Sequence, residues 1–240
     1  KNPMIIVGSS AVAREDGDAV LGYARRIAED TGMVSEEWNG FNILHTAASR
    51  VGGIEIGFMP EKEFLFSDIG VFFLLGADEI DMKKLGDAFV IYIGHHGDAG
   101  AHRANVILPS AAYTEKSATY LNLEGRVQRT QLATFPLGEA KEDWTILRAL
   151  STYLGVTLPF DTLNDLRAEM YKDNPSLGEI NKVAPIEWGV FGVDGPMTGG
   201  DFINSIKNFF MTDPISRASE TMAACTKEKF KNEIVSAKND

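Results

Sequence analysis

The sequence predicts an α/β fold: a Rossmann-like parallel sheet flanked by helices, followed by an extended C-terminal arm that carries helices. Three observations predict it. Short, continuous apolar runs recur in the first half, "MIIV" at 4–7, "VFFLLGAD" at 71–78, "FVIYIG" at 89–94 and "NVILP" at 105–109; strands buried on both faces have that composition. Segments with helical spacing separate some of these runs, the alternation expected of a parallel sheet. From residue 173 the pattern gives way to a stretch rich in Pro and Gly, including "VDGPMTGGD", the composition of a surface loop or an arm lying on a partner. The expected organisation is one α/β domain over 1–172 and a loop-rich arm with helices over 173–240.

The elements follow in order. "MIIV" runs into Gly8-Ser9-Ser10, a tight turn. Asp16 or Asp18 is placed to cap a helix on which Val20, Tyr23, Ala24 and Ile27 share a face, and Gly32 supplies its stop. The spacing of Ile43, Ala47 and Val51 predicts a second helix over 42–52. "VFFLLGAD" is the second buried strand, "DMKKL" a short helix, "FVIYIG" the third strand and "NVILP" the fourth. "SATYLNLEGRVQRTQLA" is extended, with a turn at Glu124-Gly125. A helix over 141–154 carries the stripe Trp144, Leu147, Leu150 and Leu154 and ends at Gly155. "FDTLNDLRAEMY" is helical. Beyond the Gly-rich arm, Phe202, Ile206, Phe209 and Phe210 return to helical spacing, Pro214 breaks that segment, and a polar helix closes the chain. No internal repeat is present.

Composition narrows the function. A chain of 240 residues, 44% hydrophobic, can bury a sizeable core, and 24% charged residues spread along it do not describe a disordered polymer. The net charge is −11, and the excess lies upstream of Asp201. An acidic surface disfavours duplex nucleic acid and anionic membranes as partners. Cys225 is the single cysteine. An internal disulfide is therefore excluded, as is an iron–sulfur cluster ligated by cysteines of this chain alone, and a reducing compartment is expected. The apolar runs are far shorter than a bilayer span. The first residue is Lys1, and no charged segment followed by an apolar one opens the sequence; a processed chain, or a piece of a longer ancestral polypeptide cut at a linker, is the expectation.

Four places hold residues capable of chemistry. Gly8-Ser9-Ser10 stands where a dinucleotide fold binds phosphate, but no G-x-G-x-x-G is present, so a plain strand-to-helix turn is expected. His95, His96, Asp98 and His102 lie within eight residues after the third strand. Their spacing matches no strong zinc or iron pattern, and packed or capping histidines are the expectation. Glu115, Lys116, Asn122, Glu124 and Arg126 could serve as acid–base groups or ligand anchors. The alternative, which is preferred, is that they brace a turn, with Glu115 or Glu124 pairing Arg126 and Asn122 bonded to backbone. Cys225 sits in a polar helix with no partner for nucleophilic chemistry in view. The Phe202, Ile206, Phe209 and Phe210 stripe is expected to pack in the core or on another subunit.

The stretch 104–128 carries a resemblance. Val106-Ile107-Leu108-Pro109, Glu115, Ala118-Thr119 and Asn122-Leu123-Glu124-Gly125-Arg126-Val127-Gln128 resemble the molybdopterin oxidoreductase superfamily. There, a strand ending in Leu-Pro leads to a Glu, a Gly- or Ala-Thr step and Asn-x-Glu-Gly-Arg-x-Gln. The longer run from "GHHGDAGAHRAN" through this motif is similar to the large iron–sulfur subunit family of respiratory complex I in its mitochondrial and alphaproteobacterial form. "MIIVGSSAVARED", "NILHTAASRVG", "FFLLGADEID", "AKEDWTILRALSTYLGVTLPFDTL" and "FFMTDPISRASETMAAC" fit the same family in order.

The resemblance implies the following expectations. The C-terminal part of that large polypeptide keeps the molybdoenzyme fold without the pterin, and the N-terminal part holds the iron–sulfur clusters; this chain resembles the last portion. The barrel domain that grips a pterin is replaced by the "TDPISRAS" tail. No catalytic, cofactor-binding or metal residue carries over. The chain would be a non-catalytic structural module of the peripheral arm, one half of a split large subunit as in some protist mitochondria. It would support electron transfer from NADH to ubiquinone on the matrix side of the mitochondrial inner membrane, or on the cytoplasmic face of a bacterial one. Its partners would be the N-terminal iron–sulfur portion and other peripheral-arm subunits, met through "KNPMIIVGSS" and the arm 183–211. The rival readings are a fragment of a formate dehydrogenase-like molybdopterin enzyme and a nucleotide-binding module at Gly8.

Overall fold

The computed structural model describes residues 1–59, 65–185, 187–202, 204 and 206–231. In chain order the regular elements are β1 (Ile5–Gly8), α1 (Ser9–Val12), α2 (Gly17–Asp30), β2 (Val34–Ser35), β3 (Trp38–Asn39), β4 (Phe41–Leu44), α3 (Arg50–Glu55), β5 (Val71–Leu75), β6 (Phe89–Gly94), α4 (Ala99–Arg103), β7 (Val106–Pro109), β8 (Thr119–Leu121), β9 (Val127–Arg129), α5 (Asp143–Tyr153), α6 (Leu163–Asp173), α7 (Pro214–Arg217) and α8 (Glu220–Lys229). The chain forms two compact units. The first comprises Lys1–Met59, Thr119–Thr130 and Arg167–Ser205, and the second Pro60–Ala118, Gln131–Leu166 and Ile206–Asp240. The α/β class and the parallel pairing expected from the apolar runs are both observed.

In the second unit β5, β6 and β7 form a parallel sheet with β6 in the centre, aligned Val71↔Phe89 and Ile91↔Val106. Apolar residues continue along β6 because a central parallel strand is covered on both faces. Val90 and Ile93 are fully buried. One face packs Leu74, Val90 and Tyr92 on Leu85, with Phe66, Phe72, Met82, Ala101 and Ala104 around them. Leu85 closes the short helical turn at Met82–Leu85, whose start Asp81 caps by accepting from the Lys83 N–H at 3.1 Å.

In the first unit β1 pairs in parallel with β4, its one strand partner among the described residues, from Ile5↔Phe41 to Gly8↔Leu44. The residues that α2 buries are all small, Gly17, Ala19, Gly22, Ala24 and Ala28. At Ala19 and Gly22 small residues are needed because the arm runs against the helix with its backbone. Val193 N–H donates to the Asp18 carbonyl at 3.0 Å, and a Cβ at Gly22 would lie 2.5 Å from the Val193 oxygen. Phe41, Trp188 and Phe191 stack edge-to-face or tilted at 4.9–5.4 Å between ring centres, which fixes the arm beside β4. A second cluster joins the β8–β9 hairpin to Leu177 through Leu121 and Val127.

Three expectations are corrected. Residues 42–52 are not one helix: 41–44 form β4 and helix α3 starts at Arg50. Phe41 and Ile43 pair with β1, and such tertiary pairing overrides a three-residue helical spacing. The described residues of 201–210 are not helical. Phe202 instead lies under the Arg14 guanidinium, 4.7 Å from the ring centre, and Phe209 under the Lys229 ammonium at 5.0 Å. Pro214 does not break a helix but opens α7, at the one helical position where a missing N–H costs nothing. The polar closing helix is present as α8. Residues 186, 203 and 205 of the proposed contact arm lie outside the described residues.

Candidate functional site

Ligands of open parallel sheets bind outside the carboxyl ends of the strands. In the second unit that edge is formed where β5 turns at Gly76 and β6 ends at Gly94. Tyr92 folds back across the end of β6, its hydroxyl donating to the His96 carbonyl at 3.1 Å. Its ring fills the space that a Cβ at Gly94 would need. Asp78, just beyond β5, is buried, and its carboxylate accepts from the Gly100 N–H at 3.1 Å.

The C-terminal segment reaches this edge. Asp213 starts α7 by accepting from the N–H groups of Ile215 at 2.9 Å and Ser216 at 3.0 Å, while Ser216 Oγ receives the Asp213 N–H at 3.1 Å. This reciprocal cap aims Arg217 at three carboxylates. Its guanidinium donates to Asp78 at 2.7 Å, to Glu79 at 3.3 Å and to Asp98. Burial opposes the charge on Arg217, but the hydrogen bonds and fields of Asp98, Glu79 and Asp78 prevail and hold its pKa above the ordinary value. Beside this clamp lies a cavity of about 490 Å³ lined by Gly76, His95, Tyr113, Asp213, Pro214, Ile215, Ser216, Ser219 and Met222.

The four residues of the histidine loop take different places. The His95 and His96 rings meet edge-to-face, with Nδ1 atoms 2.6 Å apart, so one donates and the other accepts. Burial, then His96 and Lys116, lowers the His95 pKa and favours a neutral ring. Asp98 is bound by Arg217, and His102 is exposed in the last turn of α4. Among the described residues no three His, Cys, Asp or Glu side chains converge as metal ligands would.

The motif of 104–128 divides between the units. In the second, Glu115 accepts from the Ala112 N–H at 3.0 Å and Lys116 pairs with Asp143. One Asp143 oxygen and the Ser110 hydroxyl are buried without a hydrogen-bond partner. In the first, Asn122 Oδ1 accepts from the N–H groups of Glu124 at 3.0 Å and Arg126 at 2.9 Å, and Gly125 takes the positive φ of 80° that the turn requires. Arg126 pairs with Glu124 at 3.3 Å and donates to the Asn181 carbonyl at 2.7 Å. These side chains brace the β8–β9 turn and join it to the segment before the arm. Gly8 is the N-cap of α1 with ordinary dihedrals, the strand-to-helix turn expected. Cys225 lies half-buried on α8.

Asp16 is at the N-cap of α2 but does not cap it with its side chain. Its carboxylate is taken by Arg14 Nε at 2.7 Å and the Thr198 N–H at 2.9 Å, and Arg14 also reaches the carbonyls of Gly200 at 2.7 Å and Asp201 at 2.8 Å. Sequence reasoning does not single out Arg14, Asp78, Thr198 or Arg217. Of these, Arg217 alone has a local signal, the Asp-Pro-x-Ser helix start before it; its partners lie 119 and 139 residues away.

The molybdopterin oxidoreductase family matches residues 1–153, and the C-terminal family of the NADH-ubiquinone oxidoreductase G-type subunit matches 189–225. The NADH dehydrogenase [ubiquinone] iron-sulfur protein 1, mitochondrial, of Solanum tuberosum is 41% identical over 230 residues, 94% of this chain and 31% of that protein. The NADH-ubiquinone oxidoreductase 78 kDa subunit, mitochondrial, of Neurospora crassa is 44% identical, covering 95% and 32%. A NADH-quinone oxidoreductase subunit of Rickettsia bellii is 42% identical, covering 95% and 34%. The chain thus spans about a third of the length of the curated relatives it matches. A match across strands β1 and β4–β7 and the turn motif that follows them means that the chain belongs to the molybdopterin oxidoreductase family.

Proposed function

We propose that this chain is a non-catalytic structural module of the peripheral arm of respiratory complex I, and that it carries no catalytic, cofactor-binding or metal-ligating residue. The observation that carries this reading is the clamp of α7 on the strand ends: the segment matched by the NADH-ubiquinone oxidoreductase C-terminal family occupies the edge where an α/β fold holds its ligand. Relatives that align with 94–95% of the chain are named as NADH dehydrogenase or NADH-quinone oxidoreductase subunits. Iron–sulfur clusters would belong to the remaining two thirds of such a subunit, which is the expected partner along with other peripheral-arm subunits. The site of action would be the matrix side of the mitochondrial inner membrane or its bacterial counterpart. Among the described residues no helix is long and apolar enough to cross a membrane.

The family name implies a pterin bearing phosphate, and the β5–β7 edge does not fit it. Three carboxylates, Asp78, Glu79 and Asp98, face a single guanidinium there. That excess of negative charge repels phosphate, and the guanidinium is already engaged.

Native electrophoresis tests the reading. The chain should migrate with a large assembly that has NADH dehydrogenase activity, and molybdenum in that assembly should be far below one atom per chain. Migration as a free monomer would overturn the assignment, and stoichiometric molybdenum would restore the molybdopterin-enzyme rival.

A further inference from the structure

We infer that the outer edge of β1 and the apolar groove beside it form the surface on which the remaining two thirds of the large subunit docks, by adding a strand to this sheet. The inference rests on the complex I reading above and names the surface and the partner's chemistry.

A parallel sheet of two strands is an incomplete structure, since parallel sheets are built of several strands buried on both faces. In the first unit the Ile5 N–H donates to the Gly40 carbonyl at 2.8 Å. Parallel ladders direct alternate residues to opposite edges, so Ile5 and Val7 bond toward β4. The N–H and C=O of Ile6 face away from it, and Ile6 is 53% exposed. The β4 side is different, because Phe41 is covered by Trp188 and Phe191 of the arm. Of the two edges of this sheet, β1 is the one that combines open backbone groups with apolar surroundings.

The groove has a volume of about 340 Å³, and its lining includes Ile6, Ala11, Val20, Tyr23, Ile27 and Phe202. Val20, Tyr23 and Ile27 are the apolar stripe of α2 at helical spacing. Gly22 meets the arm backbone at Val193, while Met197 and Phe202 of the arm line the groove beside this stripe. Tyr23, Ile27 and Phe202 remain 43%, 48% and 62% exposed, a contiguous apolar patch of the kind that marks an interface.

The occupant follows from length. Nearly all of this chain aligns with relatives, yet it accounts for only 31–34% of them, so a polypeptide roughly twice its size belongs beside it, whether covalently continuous or separate. A second copy fits poorly: two-fold pairing of identical β1 edges would be antiparallel in a parallel sheet. The fitting segment is an extended strand with apolar residues at alternate positions, its backbone on Ile6 and its side chains over Tyr23 and Ile27.

A photo-crosslinking phenylalanine analogue at position 6 of the full chain, activated in the purified assembly, tests this. The expected crosslinked peptide comes from sequence corresponding to the iron–sulfur portion of the relatives. Crosslinks confined to this chain, to a second copy or to another subunit would overturn it. Ile6→Pro removes only the N–H that faces the open edge, a position where strands tolerate proline, and Ile27→Asp places a charge in the groove. Each should lower incorporation into the assembly about tenfold or more, with the circular dichroism of the full chain unchanged. If wild type assembles and both variants assemble equally well, the docking surface is wrong and the complex I reading survives. If wild type joins no NADH dehydrogenase assembly, both readings fail.

Discussion

The two parallel sheets of this protein are built from similar apolar runs and end differently. β5–β7 has a central strand bonded on both edges and a packed face around Tyr92, and one segment of its own unit, α7, is clamped across its carboxyl end. β1–β4 has two strands among the described residues, one buried residue, Val7, and an arm whose Trp188 and Phe191 pack on Phe41 of β4, while its Phe202 lines the groove beside β1 and stays largely exposed. The first sheet carries its own packed core, although Val71, Phe73 and Leu75 of β5 and Val106 and Ile107 of β7 stay exposed. The second retains an edge and an apolar groove. Burial of strand residues therefore does not follow from hydropathy alone: it depends on how many neighbouring strands the chain brings to each run.

The contrast can be broken or sharpened by experiment. The largest effect is expected at Tyr92→Ala, which empties the centre of the β5–β7 core; a loss of about 4 kcal/mol is expected in urea unfolding. A loss below about 1 kcal/mol would mean that this sheet is not the self-sufficient one. Arg217→Ala comes next, because it strands the buried Asp78 carboxylate; a cost of about 3 kcal/mol is expected. Arg217→Lys should recover only part of it, since an ammonium cannot reproduce the fork.

Gly22→Ala should follow, at about 1–3 kcal/mol, because its methyl would press on the Val193 carbonyl and lift the arm from α2. Tryptophan fluorescence of Trp188 would report that displacement. In amide exchange, the β6 amides should be protected far longer than that of Ile6. Equal protection of Ile6 and Ile93 would remove the distinction between the sheets.

The smallest effect is electrostatic. The Arg14 side chain, then the Thr198 N–H, holds the Asp16 carboxyl well below the usual carboxylate range. A depressed folded pKa adds stability above the unfolded value, near 4, which is lost as pH falls through the folded one. Arm attachment should therefore persist through pH 4 and weaken only in stronger acid. Exchange of the Thr198 amide measures it, and Asp16→Asn should speed that exchange even at pH 7.

Much of the molecule is legible in its sequence. Four strand runs, the helices at 141–154 and 160–171, the extended turn at Glu124-Gly125 and the polar closing helix all rest on local periodicity or on glycine dihedrals, and all are present. The turn-bracing role of Asn122, Glu124 and Arg126 is also accessible, because its partners are mostly within four residues. The failures share a cause. Residues 42–52 and 201–210 have helical spacing, but three or four apolar residues fit a strand or a coil equally well once β1, Arg14 or Lys229 comes near. Asp16 reads as a cap in the linear chain because Thr198 and the arm are not visible beside it there.

The sequence by itself determined the α/β class, the family motif of 104–128 and the lack of a cysteine set for a cluster. Those depend on composition and short-range order, which a linear chain carries in full. Only the tertiary structure decided that the apolar runs divide between two sheets, that Arg217 clamps three carboxylates at one strand edge, and that β1 has β4 as its one strand partner among the described residues. Each of these joins residues dozens to more than a hundred positions apart, and which distant pair forms is set by competition among all the surfaces the folded chain brings together.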